Sequence, residues 1–416
     1  LQFKDPAVEN SFTPFLNANN PQQGASANMH DIAMSKEGNY FVLSDQGYFA
    51  LYETEPLSIV AEHQEGQNWG GVLSVDIATG DNNGTPFVRV GLCTGYYNQN
   101  GVSNNKGLFK VLQRGDGHGD GSGIGTGTFD QVGTSVVYYE EDFTSGNFQC
   151  GIKLSDDGKY VAVGDPNYLD PTSGNARGRV YVYALSNYSS GSTSAADWSL
   201  IGTFTGVDSA NELLGGDGSF DLGGLRAITG RDEVLRIAIE NRSTASDPLN
   251  YVNVYEYQNS SWELVGARTD SNGIEYSFEC GAGSTATNGI ANVALSESGN
   301  QLVCGSYEDT NADGDFDSAF SVAMYDESSD LWTDSTTKFL PPNISRNDTS
   351  IAFSSANNAT TTKQVYSVDG TSISNGGKDA PFITANGKRL ALSYNYGTTD
   401  IWYWNDYPYA KQRGDF

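Results

Sequence analysis

Residues 308–320 read EDTNADGDFDSAF. Asp309, Asn311, Asp313, Asp315 and Asp317 alternate with small residues or Phe, and Gly314 sits among them. Carboxylates this close repel one another unless a cation offsets their charge. A hard ion such as Ca²⁺ takes roughly six to eight oxygen ligands at about 2.3–2.6 Å. Alternate side chains in a tight loop can converge on such an ion, and Gly314 permits the bend. The pattern D-x-N-x-D-G-D-x-D therefore predicts a calcium loop, against the alternative of a solvated acidic loop. It starts like an EF-hand, but Phe320 stands where that motif places its twelfth-position Glu.

Other chemistry-bearing residues are sparse. His30, His63 and His118 are the only histidines and lie far apart. There is no G-x-S-x-G elbow and no H-E-x-x-H. The segment GDGHGDGSGIGTG at 115–127 reads as a flexible glycine linker, with a second metal loop as the alternative. Asp31, Asp76 and Asp221 lie near predicted first strands and are the carboxylates that could meet for glycosidase-type chemistry. Residues of this kind are more often strand-end or turn residues, so the expectation is no enzyme activity.

Composition narrows the class. The chain of 416 residues has 49 Gly and 24 Tyr but only 18% charged residues, which fits an all-β protein with many turns. A formal net charge of -28 argues against nucleic acid and against an anionic membrane surface, and favours cations. No apolar run has the length of a membrane span. The chain begins at Leu1, which accords with removal of a signal or pro-segment. Sequons at Asn187, Asn241, Asn259, Asn343, Asn347 and Asn358 predict glycosylation and add to an expectation of secretion.

Cys93, Cys150, Cys280 and Cys304 form no C-x-x-C pair, so a thiolate zinc site is not expected. Four cysteines allow three pairings. Cys93–Cys150 and Cys280–Cys304 are favoured because each joins neighbouring segments, with buried free thiols as the alternative.

These residues must be held by repeated hairpins. The unit is an apolar strand, a small polar residue, a turn with Gly and a second apolar strand. It appears at 31–44, 151–164, 292–305 and 381–393, with weaker copies at 73–91, 225–239 and 350–368. A third strand follows most copies, for example GRVYVYALS at 178–186, and some run to a fourth, such as DWSLIGTF at 197–204. Trp198, Trp262 and Trp332 recur near outer strands and read as packing between units. The aromatic stretch at 400–410 reads as the closing unit, with a carbohydrate or partner platform as its alternative. Seven units of three to four antiparallel strands predict a β-propeller. The predicted boundaries are an N-terminal segment at 1–27 that closes the ring, a single propeller at 28–410 and a tail at 411–416. The acidic stretch falls between the second and third strands of the fifth unit.

The segment VAVGDPNYLDPTSGNARGRVYVYALS resembles the FG-GAP repeat of integrin α-subunit propellers, with Gly164, Asp165, Pro166, Gly178, Val180, Val182 and Tyr183 at the motif positions. The resemblance covers about residues 28 to 410, strongly in three units. It implies a propeller fold and a D-x-D-x-D-G-x-x-D calcium loop. Carried over by position, Asp309, Asn311, Asp313 and Asp317 become side-chain ligands and Asp315 offers its backbone carbonyl. In integrins that loop joins the first and second strands, whereas here it joins the second and third. The C-terminal Arg413-Gly414-Asp415 is an integrin-ligand tripeptide of low specificity and is read as chance.

The expectation is a secreted, calcium-stabilised propeller that serves as a binding or structural module on a cell surface or in an extracellular assembly. Its partners would be other extracellular proteins or glycans. The alternatives are a carbohydrate-active hydrolase or lyase with axial carboxylates, and a viral or appendage protein that recognises a host.

Overall fold

The computed structural model describes most of residues 31–334 and the backbone of four strands between 381 and 411. Residues 1–30, 335–380, 412–416 and several loops, among them 66–73, 98–105, 116–127, 140–149, 188–196, 207–213, 224–233, 243–249, 281–292 and 309–316, lie outside the described residues.

Every described element is a strand, and strands follow one another in antiparallel order. The first sheet holds β1 (Asp31–Met34), β2 (Tyr40–Asp45), β3 (Tyr48–Thr54) and β4 (Leu57–Gln64). The second holds β5 (Ser74–Asn82), β6 (Thr85–Tyr97), β7 (Lys106–Gly115) and β8 (Asp130–Tyr139). The third holds β9 (Ile152–Leu154), β10 (Tyr160–Asp165), β11 (Arg179–Ser186) and β12 (Asp197–Thr205). The fourth holds β13 (Phe220–Gly223), β14 (Leu235–Arg242), β15 (Asn250–Gln258) and β16 (Ser261–Leu264). After it come a small hairpin of β17 (Arg268–Thr269) and β18 (Glu275–Tyr276), and β19 (Phe278–Glu279), which adds to β15. The fifth sheet holds β20 (Val293–Leu295), β21 (Gln301–Glu308), β22 (Asp317–Asp326) and β23 (Leu331–Asp334). The sixth holds β24 (Pro381–Ile383), β25 (Arg389–Tyr394), β26 (Thr398–Tyr403) and β27 (Ala410–Lys411).

The fold is all-β, a β-propeller. First strands of successive sheets lie against one another, β1 on β5, β5 on β9, β9 on β13 and β13 on β20. Apolar side chains fill the space between neighbouring sheets, so each joint among the first five sheets has its own core. Val42, Leu51, Val90 and Leu92 share one cluster; Val161 and Val163 join Phe109 and Trp198 in the next. The second strand β10 is buried along nearly its whole length, whereas the outer strand β12 is largely exposed. Outer strands also carry register shifts opposite Leu51/Tyr52 and Val182/Tyr183, which twist an exposed edge away from further pairing.

The first strand of the fourth unit differs from expectation. The hairpin read at 225–239 begins instead at Phe220–Gly223, where Phe220 and Leu222 are buried on either side of Asp221. The alternation of Phe220 and Leu222 was the missed signal. Each of the six described sheets runs through four consecutive strands, β4, β8, β23 and β27 among the outer ones, and the fourth sheet gains β19 as a fifth. The sixth sheet places β24 against β20 and β21 of the fifth. The copy at 350–368, on which a count of seven depends, lies outside the described residues, as does the ring-closing segment at 11–16.

Two turns show why glycine punctuates the repeats. Gly158 takes φ 63° and donates its N–H to Ser155 O at 2.7 Å, closing the β9–β10 turn. A Cβ there would lie 2.6 Å from Arg89 Cδ of the second sheet. Gly164 lies next to the end of β10, where the chain entering the fourth sheet crosses, and a Cβ would lie 1.8 Å from Gly215 O.

Candidate functional site

The three carboxylates with a claim to axial chemistry all sit on first strands, and all three make the same kind of bond. Asp31 Oδ2 accepts the Val75 N–H and the Ser74 hydroxyl, each at 2.8 Å. Asp76 Oδ2 accepts the Leu154 N–H at 2.6 Å. Asp221 Oδ2 accepts the Leu295 N–H at 2.7 Å, while its Oδ1 accepts its neighbour Leu222 N–H. Each aspartate therefore reaches from one sheet to the first strand of the next. Each first strand is the inner edge of its sheet, which leaves an inward N–H without a ladder partner, and the carboxylate of the preceding sheet satisfies it.

Asp76 is the most perturbed of the three. Part of its surface stays open, yet protein surrounds it, and this burial pushes its carboxyl up to about 6. Lys153 and the Leu154 amide oppose the rise, and the Asp221 charge adds to it.

The outer strands are joined by indoles. Trp198 Nε1–H donates to Val132 O at 2.9 Å, Trp262 Nε1–H to Ile201 O at 3.0 Å, and Trp332 Nε1–H to Val265 O at 3.2 Å. In each case the accepting residue precedes a glycine. A Cβ at Gly202 would lie 2.4 Å from Trp262 Nε1, and one at Gly266 would lie 2.6 Å from Trp332 Cδ1. The recurring tryptophans are thus inter-sheet packing residues with a hydrogen bond at the tip.

Two disulfides cross the same joints. Cys93 on β6 pairs with Cys150 ahead of β9, and Cys280 pairs with Cys304 on β21. No free cysteine is present among the described residues.

The acidic stretch can be placed only by its ends. β21 finishes at Glu308 and β22 begins at Asp317, and these two are cross-strand partners. The stretch therefore joins the second and third strands of the fifth sheet, the same connection that Asp165–Gly178 makes in the third. Asp309, Asn311, Asp313 and Asp315 lie outside the described residues. The donor set is all oxygen, which suits a hard divalent ion. Glu308 is the acidic neighbour that spacing alone did not single out, because the motif starts one residue later. Among the described residues no group of three or more His, Cys, Asp or Glu could hold a metal ion.

Two sequons fall in described surface turns. Asn187 is exposed with φ 53° after β11, and Asn259 is exposed with φ 49° at the β15–β16 turn. Asn241 lies within β14 opposite Tyr251. Asn343, Asn347 and Asn358, the glycine-rich loop at 116–127 and the C-terminal tripeptide lie outside the described residues. No described helix is long and apolar enough to cross a membrane.

His63 is the one histidine of the three that is described. Its Nε2 contacts Glu65 Oε1 at 2.9 Å, and Lys110 Nζ of the second sheet bonds the other Glu65 oxygen. Burial alone would raise the Glu65 carboxyl, but the bonds from His63 and Lys110 outweigh it and hold it below the usual range. Phe49 and Phe129 pack on the imidazole. The cluster joins the first and second sheets.

No family model and no curated protein matches the chain. Solved structures with similar folds include the periplasmic gluconolactonase PpgL of Pseudomonas aeruginosa, at 11% identity over 91% of this chain and 82% of that one, with a TM-score of 0.43. AofleA from Arthrobotrys oligospora is 9% identical over 92% of this chain and 85% of that one, with a TM-score of 0.42. The WD40 domain of SCAP from fission yeast is 13% identical over 74% of each chain, with a TM-score of 0.34.

Proposed function

We propose that this chain is a secreted, calcium-stabilised β-propeller of the FG-GAP type that serves as a binding or structural module of a cell surface or extracellular assembly. The observation that carries the reading is the use made of the inner carboxylates. Asp31, Asp76 and Asp221 each accept a backbone N–H from the next sheet. That is a scaffold role. Two inter-sheet disulfides accord with an oxidising compartment, and exposed Asn187 and Asn259 are sterically open to glycans.

Calcium is tested by calorimetry. An ion that binds only the folded state stabilises it by about 2.7 kcal/mol at a hundredfold excess over Kd. Melting in calcium should exceed melting in chelator, and Asp313→Ala should remove most of the difference while the propeller stays folded. Equal melting temperatures for the wild type would leave the stretch a solvated acidic loop.

A second reading, a carbohydrate-active hydrolase or lyase, draws on Asp76 alone. A carboxyl raised to about 6 is in the range of a general acid. Turnover of polysaccharides by the wild type that is lost in Asp76→Asn would favour it; a wild type without turnover removes it.

A further inference from the structure

A cleft of about 700 Å³ opens between the first and second sheets, at the ends where β1 turns into β2 and β5 turns into β6. Its walls include Glu37, Tyr40, Glu53, Ile59, Thr79 and Phe87. Neither Lys nor Arg is among its lining residues, and the nearby Arg89 guanidinium, 4.7 Å from the Phe87 ring centroid, is buried and bonded to Gln113 and to the Asp157 and Gly158 carbonyls. Ile59 is 55% exposed, one of four exposed large aliphatic side chains among the described residues. Glu53 lies close enough to Tyr40 that, after burial, its charge is the second reason the phenol is raised. Glu37 accepts a hydrogen bond from Thr79 across the joint.

This joint also lacks the indole found at the next three. Phe129 stands three residues before Val132-Gly133, as Trp198 stands before Ile201-Gly202 and Trp262 before Val265-Gly266. Phe129 has no N–H to donate and packs instead on Phe49 and His63. The first and second sheets are therefore tied by the inner Asp31 bonds and by the Glu65–Lys110 pair, and their turn ends are bridged by the Thr79–Glu37 bond.

We propose that this cleft binds a short basic peptide segment, with an Arg or Lys stem on Ile59 and Phe87 and the cationic head between Glu37 and Glu53. Charge complementarity supports that occupant. Two carboxylates and hydroxyl groups face an apolar floor, and a side chain with an aliphatic stem and a cationic tip matches both features. The volume exceeds that of one residue and accommodates a few. The inference rests on the binding-module reading and gives it a site and a partner chemistry.

The test is titration of the full chain with a labelled, end-capped hexapeptide of alternating Leu and Arg at 0.15 M salt, read by fluorescence anisotropy. An acidic chain attracts any cation, so the decisive comparison holds net charge constant. Glu37→Gln/Glu53→Gln should weaken binding about tenfold or more. Glu263→Gln/Glu275→Gln, exposed carboxylates on the fourth unit and its hairpin, should leave it within about twofold. Ile59→Ser should weaken binding with no change of charge and serves if the Glu37 variant fails to fold. The proposal is overturned if both double variants lose affinity equally, if neither does, if a Leu–Glu hexapeptide binds as well, or if the wild type shows no binding. Calcium-dependent melting does not report on the cleft, so failure here and failure of the calcium reading are separable.

Discussion

The joint between the second and third sheets and the joint between the first and second are built differently. At the former, Arg89 leaves β6, fully buried, and its Nη1–H donates to Gly158 O at 2.9 Å and Asp157 O at 3.3 Å in the β9–β10 turn. Gln113, its cross-strand partner on β7, accepts from Nε at 2.6 Å, and Phe87 lies under the guanidinium. The Cys93–Cys150 bridge, the Asp76 bond and the Trp198 bond cross that joint as well. The joint between the fourth and fifth sheets repeats the plan. Arg236 on β14 donates to Gly299 O at 3.0 Å and to Asn300, and pairs with Glu256 on β15. Tyr325 covers it, and Cys280–Cys304, Asp221 and Trp332 cross alongside. Between the first and second sheets no disulfide or Trp bond appears among the described residues, and a cleft is left. The propeller is thus assembled from paired sheets, two and three, four and five, with different joints between the pairs.

The largest test of that pairing is Arg236→Met. It leaves the Glu256 carboxylate buried without its cation and the Gly299 carbonyl without a donor, and should cost about 3–5 kcal/mol. Arg89→Met strands a neutral Gln113 amide and should cost about 1–3 kcal/mol. Urea unfolding of both variants makes the comparison. Equal losses would show that the charge on Glu256 is immaterial. The double variant Arg236→Met/Glu256→Leu should regain much of the loss, since an apolar pair needs no ion.

The pairing explains what could be read in the sequence. The three described hairpins of the more regular class, at 31–44, 151–164 and 292–305, share one turn. Ser35, Ser155 and Ser296 accept the N–H of Gly38, Gly158 and Gly299 at 2.7–2.8 Å, with φ between 63° and 76° at those glycines. Each serine hydroxyl also accepts the N–H of the first residue of the second strand. A four-residue device with Ser and Gly at fixed places is legible. The weaker copies at 73–91 and 225–239 carry Arg89 and Arg236 instead, and an arginine in an apolar strand looks like a break in the pattern. Its partner is a backbone carbonyl 69 residues away in the chain for Arg89 and 63 for Arg236, which no local period encodes. The aspartates looked like catalytic candidates for the same reason. Asp76 and Asp221 stand among apolar residues, and their partners, Leu154 and Leu295, are revealed only by packing.

Asp76 gives the second test, through pH. Its carboxyl is raised to about 6 by burial, against about 3.9 in an unfolded chain. A raised value means the folded state prefers the protonated form. The associated stability is fully present below about pH 4 and is lost as pH rises through about 6. Asp76→Asn stays neutral and still offers an oxygen to Leu154 N–H. The variant should therefore gain on the wild type by about 2–3 kcal/mol between pH 4 and pH 7, at about 1.4 kcal/mol per pH unit. Comparing the two proteins cancels the opposite trend from carboxyls held low, such as Glu65, Asp170 and Asp326. A difference that stays flat across the window would remove the buried charge from the account of this joint.

The smallest effect concerns the outer rim. Trp332 is fully buried and donates to Val265 O, whereas Trp262 is partly exposed where it donates to Ile201 O. Replacing either by Phe keeps a ring in the slot and removes one donor. At Trp332 the buried Val265 carbonyl would keep only the Ser277 hydroxyl as its side-chain donor, at a cost of about 1 kcal/mol for the indole bond lost where water cannot replace it. At Trp262 water can reach the carbonyl, so the loss should be about half that or less. Phe129 already shows that the position accepts a phenyl ring when the neighbouring sheet supplies Phe49 and His63 to pack on it. Thermal unfolding of Trp332→Phe and Trp262→Phe under one buffer reads the order directly. If Trp262→Phe proves the more damaging, water access does not set the cost, and the joint between the third and fourth sheets is held more by that indole than its exposure implies.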